Sequence, residues 1–163
     1  MIGTRVARKS DAARAMDGLR KLVRGLRIGN SEIQRATGVS SAQLFALRQL
    51  SRRSGQSLSD LAALTLTTQS SISEVVSRLV DNRLVSRNVA PADHRRTELR
   101  LTDRGRAVLA SAAETPQEKM LAGLLSLGAR KQRLIAEGIE EWLEASHLSG
   151  IEPTMFFEPP DSA

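Results

Sequence analysis

Apolar residues recur near the start of the chain as Ala12, Met16, Leu19, Val23, Leu26 and Ile33, spaced 4-3-4-3-7. A seam repeating about every 3.5 residues is the period with which one helix packs on another. Arg14, Arg20, Lys21, Arg24 and Arg27 fall largely off that seam. The pattern predicts one long helix closed by Gly38, because glycine just past the last turn is the usual stop signal. Such a seam suits packing within the chain and packing across two copies equally. Ser40 or Ser41 then caps a short helix bearing Leu44, Phe45, Leu47 and Leu50, followed by a polar connection over 51–56.

Residues 57–64 read as a helix opened by a Ser57 cap, with Asp60 at its third position. Residues 65–68 (Thr-Leu-Thr-Thr) form helix poorly and predict a short turn. From 70 to 80 the pattern is helical again, with Ile72, Val75, Val76 and Leu79 on one face. The other face carries Gln69, Ser70, Ser73, Ser77 and Arg78. Two short helices joined by a tight turn make a helix-turn-helix, and short hydroxyl and amide side chains at the start of the second suit close approach to base edges. An ordinary amphipathic helical hairpin shows the same pattern.

The next stretch separates those readings. Residues 84–89 and 97–101 alternate apolar and polar, as strands do, and 90–96 between them is a turn rich in Pro and charge. A β-hairpin with a cationic tip directly after a helix-turn-helix is a winged helix. An arginine at such a tip can enter a narrow minor groove, where negative potential is focused. Thr102 then caps another helix, with helical signal continuing to Leu125 and Pro116 bending or breaking it. Gly128 precedes a last helix carrying Leu134, Ile135, Ile139, Trp142 and Leu143, with Glu137, Glu140, Glu141 and Glu144 facing outward. Trp142 reads as core rather than as a ligand-stacking residue. After Leu148 the chain, with Pro153, Pro159 and Pro160, reads as an irregular tail whose residues 155–157 dock on the body.

Charge sharpens this picture more by its placement than by its total of +6. Residues 1–53 hold 12 basic and 3 acidic side chains, 54–110 hold 8 and 6, and 111–163 hold 4 and 9. Arg83, Arg87, Arg95, Arg96, Arg100, Arg104 and Arg106 crowd into 83–106. All are arginine, the fork-shaped cation that suits phosphates and base edges. Taken alone, the cluster reads equally well as a solvated surface partnered by Asp93, Glu98 and Asp103. The first 28 residues are basic and amphipathic, as in a transit peptide, but Asp11, Asp17 and the single Ser10 argue against one. The longest apolar run, 120–125, is far short of the roughly 20 residues that span a membrane. The chain is therefore read as soluble and cytoplasmic.

The order Asp93-x-Arg95, then Leu99-x-Leu101-Thr102-x-x-Gly105, resembles the wing signature of the multiple-antibiotic-resistance-regulator (MarR) family. Leu61-Ala62, residues 69–73, residues 78–80 and residues 84–87 match that family's helix-turn-helix in register, and the resemblance extends from about 12 to 147. It implies a dimeric winged-helix transcription regulator, most often a repressor released by small aromatic or phenolic ligands. It implies that Ser70, Ser71 and Ser73, with neighbours Thr68, Gln69, Ser77 and Arg78 on a recognition helix at about 68–81, meet the major groove of a pseudo-palindromic duplex. The wing, about 84–101, would then meet the minor groove through Arg95, oriented by Asp93, with Arg87, His94 and Arg96 beside it. Met16, Leu19, Val23 and Leu26 near the start, and Ile135, Ile139 and Trp142 near the end, would pair across two subunits. Their recognition helices would then stand about 34 Å apart, one turn of DNA.

Three features depart from the family pattern. Arg83 stands where a glycine usually precedes the first wing strand, and Glu74 faces a position where a cation sits better against DNA. The chain has no cysteine, which excludes regulation by thiol oxidation and every thiolate metal site. No metal, cofactor or catalytic site is expected: His94 and His147 are the only histidines, at no ligand or nucleophile–base spacing, and no glycine-rich phosphate loop occurs. No residue marks the chemistry of an effector pocket. The fold expected is mainly α with a small β-hairpin wing: a segment and long dimerisation helix over 1–37, a winged helix-turn-helix over 38–110, dimerisation helices over 111–147 and an irregular tail over 148–163. The rival readings are a helical protein-interaction adaptor with an incidental basic surface and an RNA-binding winged helix.

Overall fold

A computed structural model of the chain describes residues 10–90 and 93–156, and of Ala90 and 93–96 the backbone alone. Helix α1 (Asp11–Thr37) begins at Ser10, whose hydroxyl accepts from the Ala13 N–H, and ends where Gly38 turns left-handed at φ 74°. Helix α2 (Ser41–Arg52) is opened by a reciprocal Ser40–Gln43 capping box. The Asn30 side chain accepts from the Ser41 N–H at 2.9 Å, tying α1 to the start of α2. Nine of the twelve α2 residues are buried, so this helix is the axle of the core.

Around it pack α3 (Leu58–Thr65) and α4 (Gln69–Asp81), capped by Ser57 with Asp60 and by Thr68. Helix α3 runs through Thr65, one residue further than its composition predicts, and the turn is made by Leu66 in a left-handed conformation at φ 52°. A second left-handed residue, Arg83 at φ 58°, follows α4 and starts the wing.

The wing is an antiparallel pair, β1 (Val85–Ala90) with β2 (Asp93–Leu101), in register from Val85 opposite Leu101 to Val89 opposite Thr97. At Val89/Ala90 the register jumps, Ala90 pairing with Asp93, so that β2 carries the extra residues 94–96 at its tip end. Gln56, expected in a polar connection, is instead buried and bridges to Leu99, whose N–H donates to the Gln56 carbonyl at 2.8 Å.

Helix α5 (Asp103–Ala110) starts at Thr102. The Thr102 hydroxyl and N–H both donate to the Leu84 carbonyl, and a Cβ on Gly105 would overlap that same oxygen. The Thr-x-x-Gly spacing thus seats α5 directly on the root of the wing. Of the two outcomes expected at Pro116, bending or breaking, the helical stretch from 103 to 125 shows the break. Helix α6 (Pro116–Leu125) begins afresh with Pro116 in its first turn and a Thr115–Glu118 capping box, so Pro116 opens a helix rather than bending one. Arg48 of α2 holds the break: its guanidinium donates to the Ala113 carbonyl at 2.8 Å and pairs with Glu118 at 3.2 Å. Gly29 of α1 meets Pro116 so closely that a side chain there would overlap the ring. Last comes α7 (Ala129–Ala145), capped by Gly128, which buries none of its residues.

Ile33, Val39, Leu44, Phe45, Leu47, Leu50, Leu61, Ile72, Val75, Val76, Leu79, Leu84, Val85 and Leu99 form one continuous core beneath α2–α4 and the wing. Met155, far along the tail, joins the same cluster. Among the described residues no helix is long and apolar enough to cross a membrane.

Candidate nucleic-acid interface

Helix α4 divides cleanly by face. Ile72, Val75, Val76 and Leu79 are fully buried, which fixes the rotation of the helix and leaves Gln69, Ser70 and Ser77 exposed with Ser73, Glu74 and Arg78 at the margin. Its first turn contains no acidic side chain, so the positive end of the helix dipole is uncompensated and favours an anion. Thr68 is exposed, yet its hydroxyl is engaged as the helix cap, accepting from the Ser71 N–H at 3.2 Å and donating to the Ser71 hydroxyl at 2.9 Å.

Ser71, which the family resemblance sets against the major groove, does not reach the outer face. It is buried, and its hydroxyl donates to the Pro153 carbonyl at 2.9 Å. One residue of register explains this: Ser71 lies beside Ile72 and one turn before Val75, on the side the core claims.

The wing is joined to α4 by Arg87 of β1, which donates to the Ser77 hydroxyl at 3.2 Å. Between them lies a cleft of about 250 Å³ lined by Leu58, Ser73, Arg87, Thr97 and Leu99. Local acids occupy part of the arginine cluster: Arg100 pairs with Glu98 at 2.9 Å and Arg106 with Asp103 at 2.7 Å. Arg83, Arg87 and Arg104 are exposed. The side chains of Asp93, His94, Arg95 and Arg96 lie outside the described residues, as do Phe157, Pro159 and Pro160. Among the described residues no three His, Cys, Asp or Glu side chains gather as a metal would require.

The expected dimerisation residues do not behave alike. Leu26 is buried within the single chain at 6% exposure, whereas Met16, Leu19, Val23, Ile135 and Ile139 remain exposed. Trp142, expected in a core, is 40% exposed on the same apolar stripe of α7. Two residues that set the frame of the site escaped the sequence reading. Arg48 locks the α5–α6 break, and the Gln56 amide donates to the Gln49 and Arg53 carbonyls, closing α2. Their one signal was a strongly polar side chain in or beside a run of apolar positions, which implies an internal partner.

The family profile described as MarR family matches residues 37–96, from the end of α1 through the extra residues of β2. The HTH-type transcriptional repressor MdtR of Bacillus subtilis is 30% identical over 112 residues, covering 69% of this chain and 66% of that protein. The match thus spans just under two thirds of that relative's length. The transcriptional regulator BldR from Sulfolobus solfataricus superimposes with a TM-score of 0.54 at 25% identity, covering 83% of this chain and 96% of that one. For the PcaV transcriptional regulator from Streptomyces coelicolor the TM-score is 0.52 at 26% identity, over 82% and 97%. With the helix-turn-helix, the wing and the flanking helices all in the same order, residues 37–96 match the MarR family and the chain has the winged-helix fold of these regulators.

Proposed function

We propose that the chain is a homodimeric regulator of transcription that binds double-stranded DNA in sequence-specific fashion, with α4 in the major groove and the wing at the minor groove. One observation carries this reading: α4 buries Ile72, Val75, Val76 and Leu79 and turns Gln69, Ser70 and Ser77 outward, with the wing strand tied alongside through Arg87. Short polar groups on a rigid helix can approach base edges, and an adjoining cationic strand can follow the phosphates. The relatives' names supply the direction. MdtR is a transcriptional repressor, and repression is the proposed outcome here.

The homodimer is supported by the apolar residues of α1 and α7 that the single chain leaves in water. Two copies joined there would present two recognition helices about 34 Å apart to a pseudo-palindromic site. Control by a small effector is supported by a cleft of about 640 Å³ between α1 and α6, a size typical of ligand pockets. Leu22, Leu26, Ile33 and Met120 give it an apolar lining, with Lys21 and Glu114 also at its wall. Such a protein works in the cytoplasm, beside its DNA.

The test is Arg95→Ala, assayed by mobility shift at fixed salt on duplexes that the protein retains from its own genome. Binding is expected to weaken about tenfold or more, equivalent to about 1.4 kcal/mol, with an unchanged circular dichroism spectrum. Undiminished affinity would remove the wing from the interface. Preference for structured RNA over duplex would redirect the whole reading.

A further inference from the structure

The chain does not leave the molecule after α7. His147 adopts a left-handed conformation at φ 56°, and the Leu148 N–H donates back to the Leu143 carbonyl at 2.9 Å, ending the helix. A further turn, in which the Ile151 N–H donates to the Leu148 carbonyl, sends the chain back towards the winged helix. There Pro153 accepts the hydrogen bond from Ser71 of α4 at 2.9 Å. Two residues on, Met155 is only 4% exposed and lies in the same core cluster as Ile72 and Val75. From α6, the Gln117 amide points at the Met155 sulfur, 4.0 Å away. A short strap, residues 149–156, therefore leaves the far end of one long helix and lands on both α4 and α6.

The landing point decides what the strap can do. Ser71 and Met155 lie on the inward side of α4, whereas Gln69, Ser70 and Ser77 face out. A strap there leaves the outer face open. Ser71 also accepts from the Thr68 hydroxyl, and Thr68 caps α4, so two hydroxyls connect the Pro153 carbonyl to the first turn of the recognition helix. Helix α7 itself buries no side chain. We infer that Pro153 and Met155 are positioning residues, which hold the recognition helix at a fixed orientation relative to the long helices. They would thereby fix the separation of the two recognition helices in the dimer. This inference rests on the homodimeric DNA-binding reading above.

A role confined to filling the core would affect stability but not that separation, which makes the separation the quantity to measure. The chain contains no cysteine, so Ser59→Cys, at an exposed position of α3, places a single spin label in each protomer. Electron–electron dipolar spectroscopy on the labelled 163-residue chain is expected to give one narrow distance distribution. Truncation after Leu148 is expected to broaden it at least twofold while circular dichroism still reports a folded helical protein. The same truncation is expected to cut the preference of the dimer for a duplex it has selected from random sequence, over that duplex with one base pair inserted at its centre, by about tenfold. If the truncated chain does not fold, the double variant Ser71→Ala, Met155→Ala carries the same measurement. An unchanged distribution in a folded, dimeric variant overturns the positioning role and leaves the DNA-binding reading intact. Absence of any dipolar signal from the labelled 163-residue chain removes the homodimer, and the inference with it.

Discussion

Helices α2 and α7 carry comparable apolar content and meet opposite fates. Helix α2 buries nine of its twelve residues, while α7 presents Leu134, Ile135, Ile139, Trp142 and Leu143 and buries none of its seventeen. The N-terminal half of α1 resembles α7, leaving Met16, Leu19, Leu22 and Val23 exposed, and only Leu26 and Ile33 reach cover. Hydrophobicity alone therefore does not make a core. The winged helix closes on itself because short helices and a hairpin surround α2 on several sides, whereas a lone long helix can offer its stripe only to something beyond the chain.

If that contrast is sound, damage to the two regions should be separable. The largest effect is expected from Phe45→Ala, which empties the centre of the winged-helix core. It should lower the free energy of unfolding by about 3–5 kcal/mol in a urea titration followed by far-ultraviolet circular dichroism. A loss below about 1 kcal/mol would mean that the winged helix is not the autonomous part. Next comes Ile139→Glu, which places a charge on the exposed stripe of α7. It should leave helix content unchanged yet raise the dissociation constant of the proposed dimer by about a hundredfold, roughly 2.7 kcal/mol, in sedimentation equilibrium. Trp142 is the only tryptophan and the chain has no tyrosine, so intrinsic fluorescence reports α7 alone. Its emission should shift to the blue with rising protein concentration in the parent chain and stay fixed in the variant. The smallest effect belongs to Arg83→Gly, expected to raise stability by about 0.5–1 kcal/mol, read as a higher urea midpoint at unchanged slope. A lower midpoint would show that the arginine side chain holds the wing root more firmly than its backbone strains it.

The winged helix was legible because its signals are local. Caps at Ser57 and Thr102, two faces on α4, and alternation along the hairpin each follow from neighbours a few residues apart. What remained hidden depends on distant partners. Ser71 reads as another small polar residue until Pro153, 82 positions away, is seen to accept its hydrogen bond. Arg48 reads as one more surface cation until the α5–α6 break supplies its carbonyls. Leu26 and Met16 belong to one seam by spacing, yet only Leu26 is buried in the single chain, and no period distinguishes them. The helical repeat left Ser71 off the outer face of α4, and only the family resemblance set it against DNA.

The two residues that bracket α4, Leu66 before it and Arg83 after it, both hold left-handed backbone without being glycine. Each conformation costs of order 1–3 kcal/mol for a residue with a side chain, and Leu66 is 67% exposed, so burial does not compensate. The protein thus keeps a margin of unclaimed stability at both ends of the helix proposed to read DNA. A glycine at either end would release part of it, the rest being offset by glycine's own loss of freedom on folding, at the expense of one outward-facing side chain.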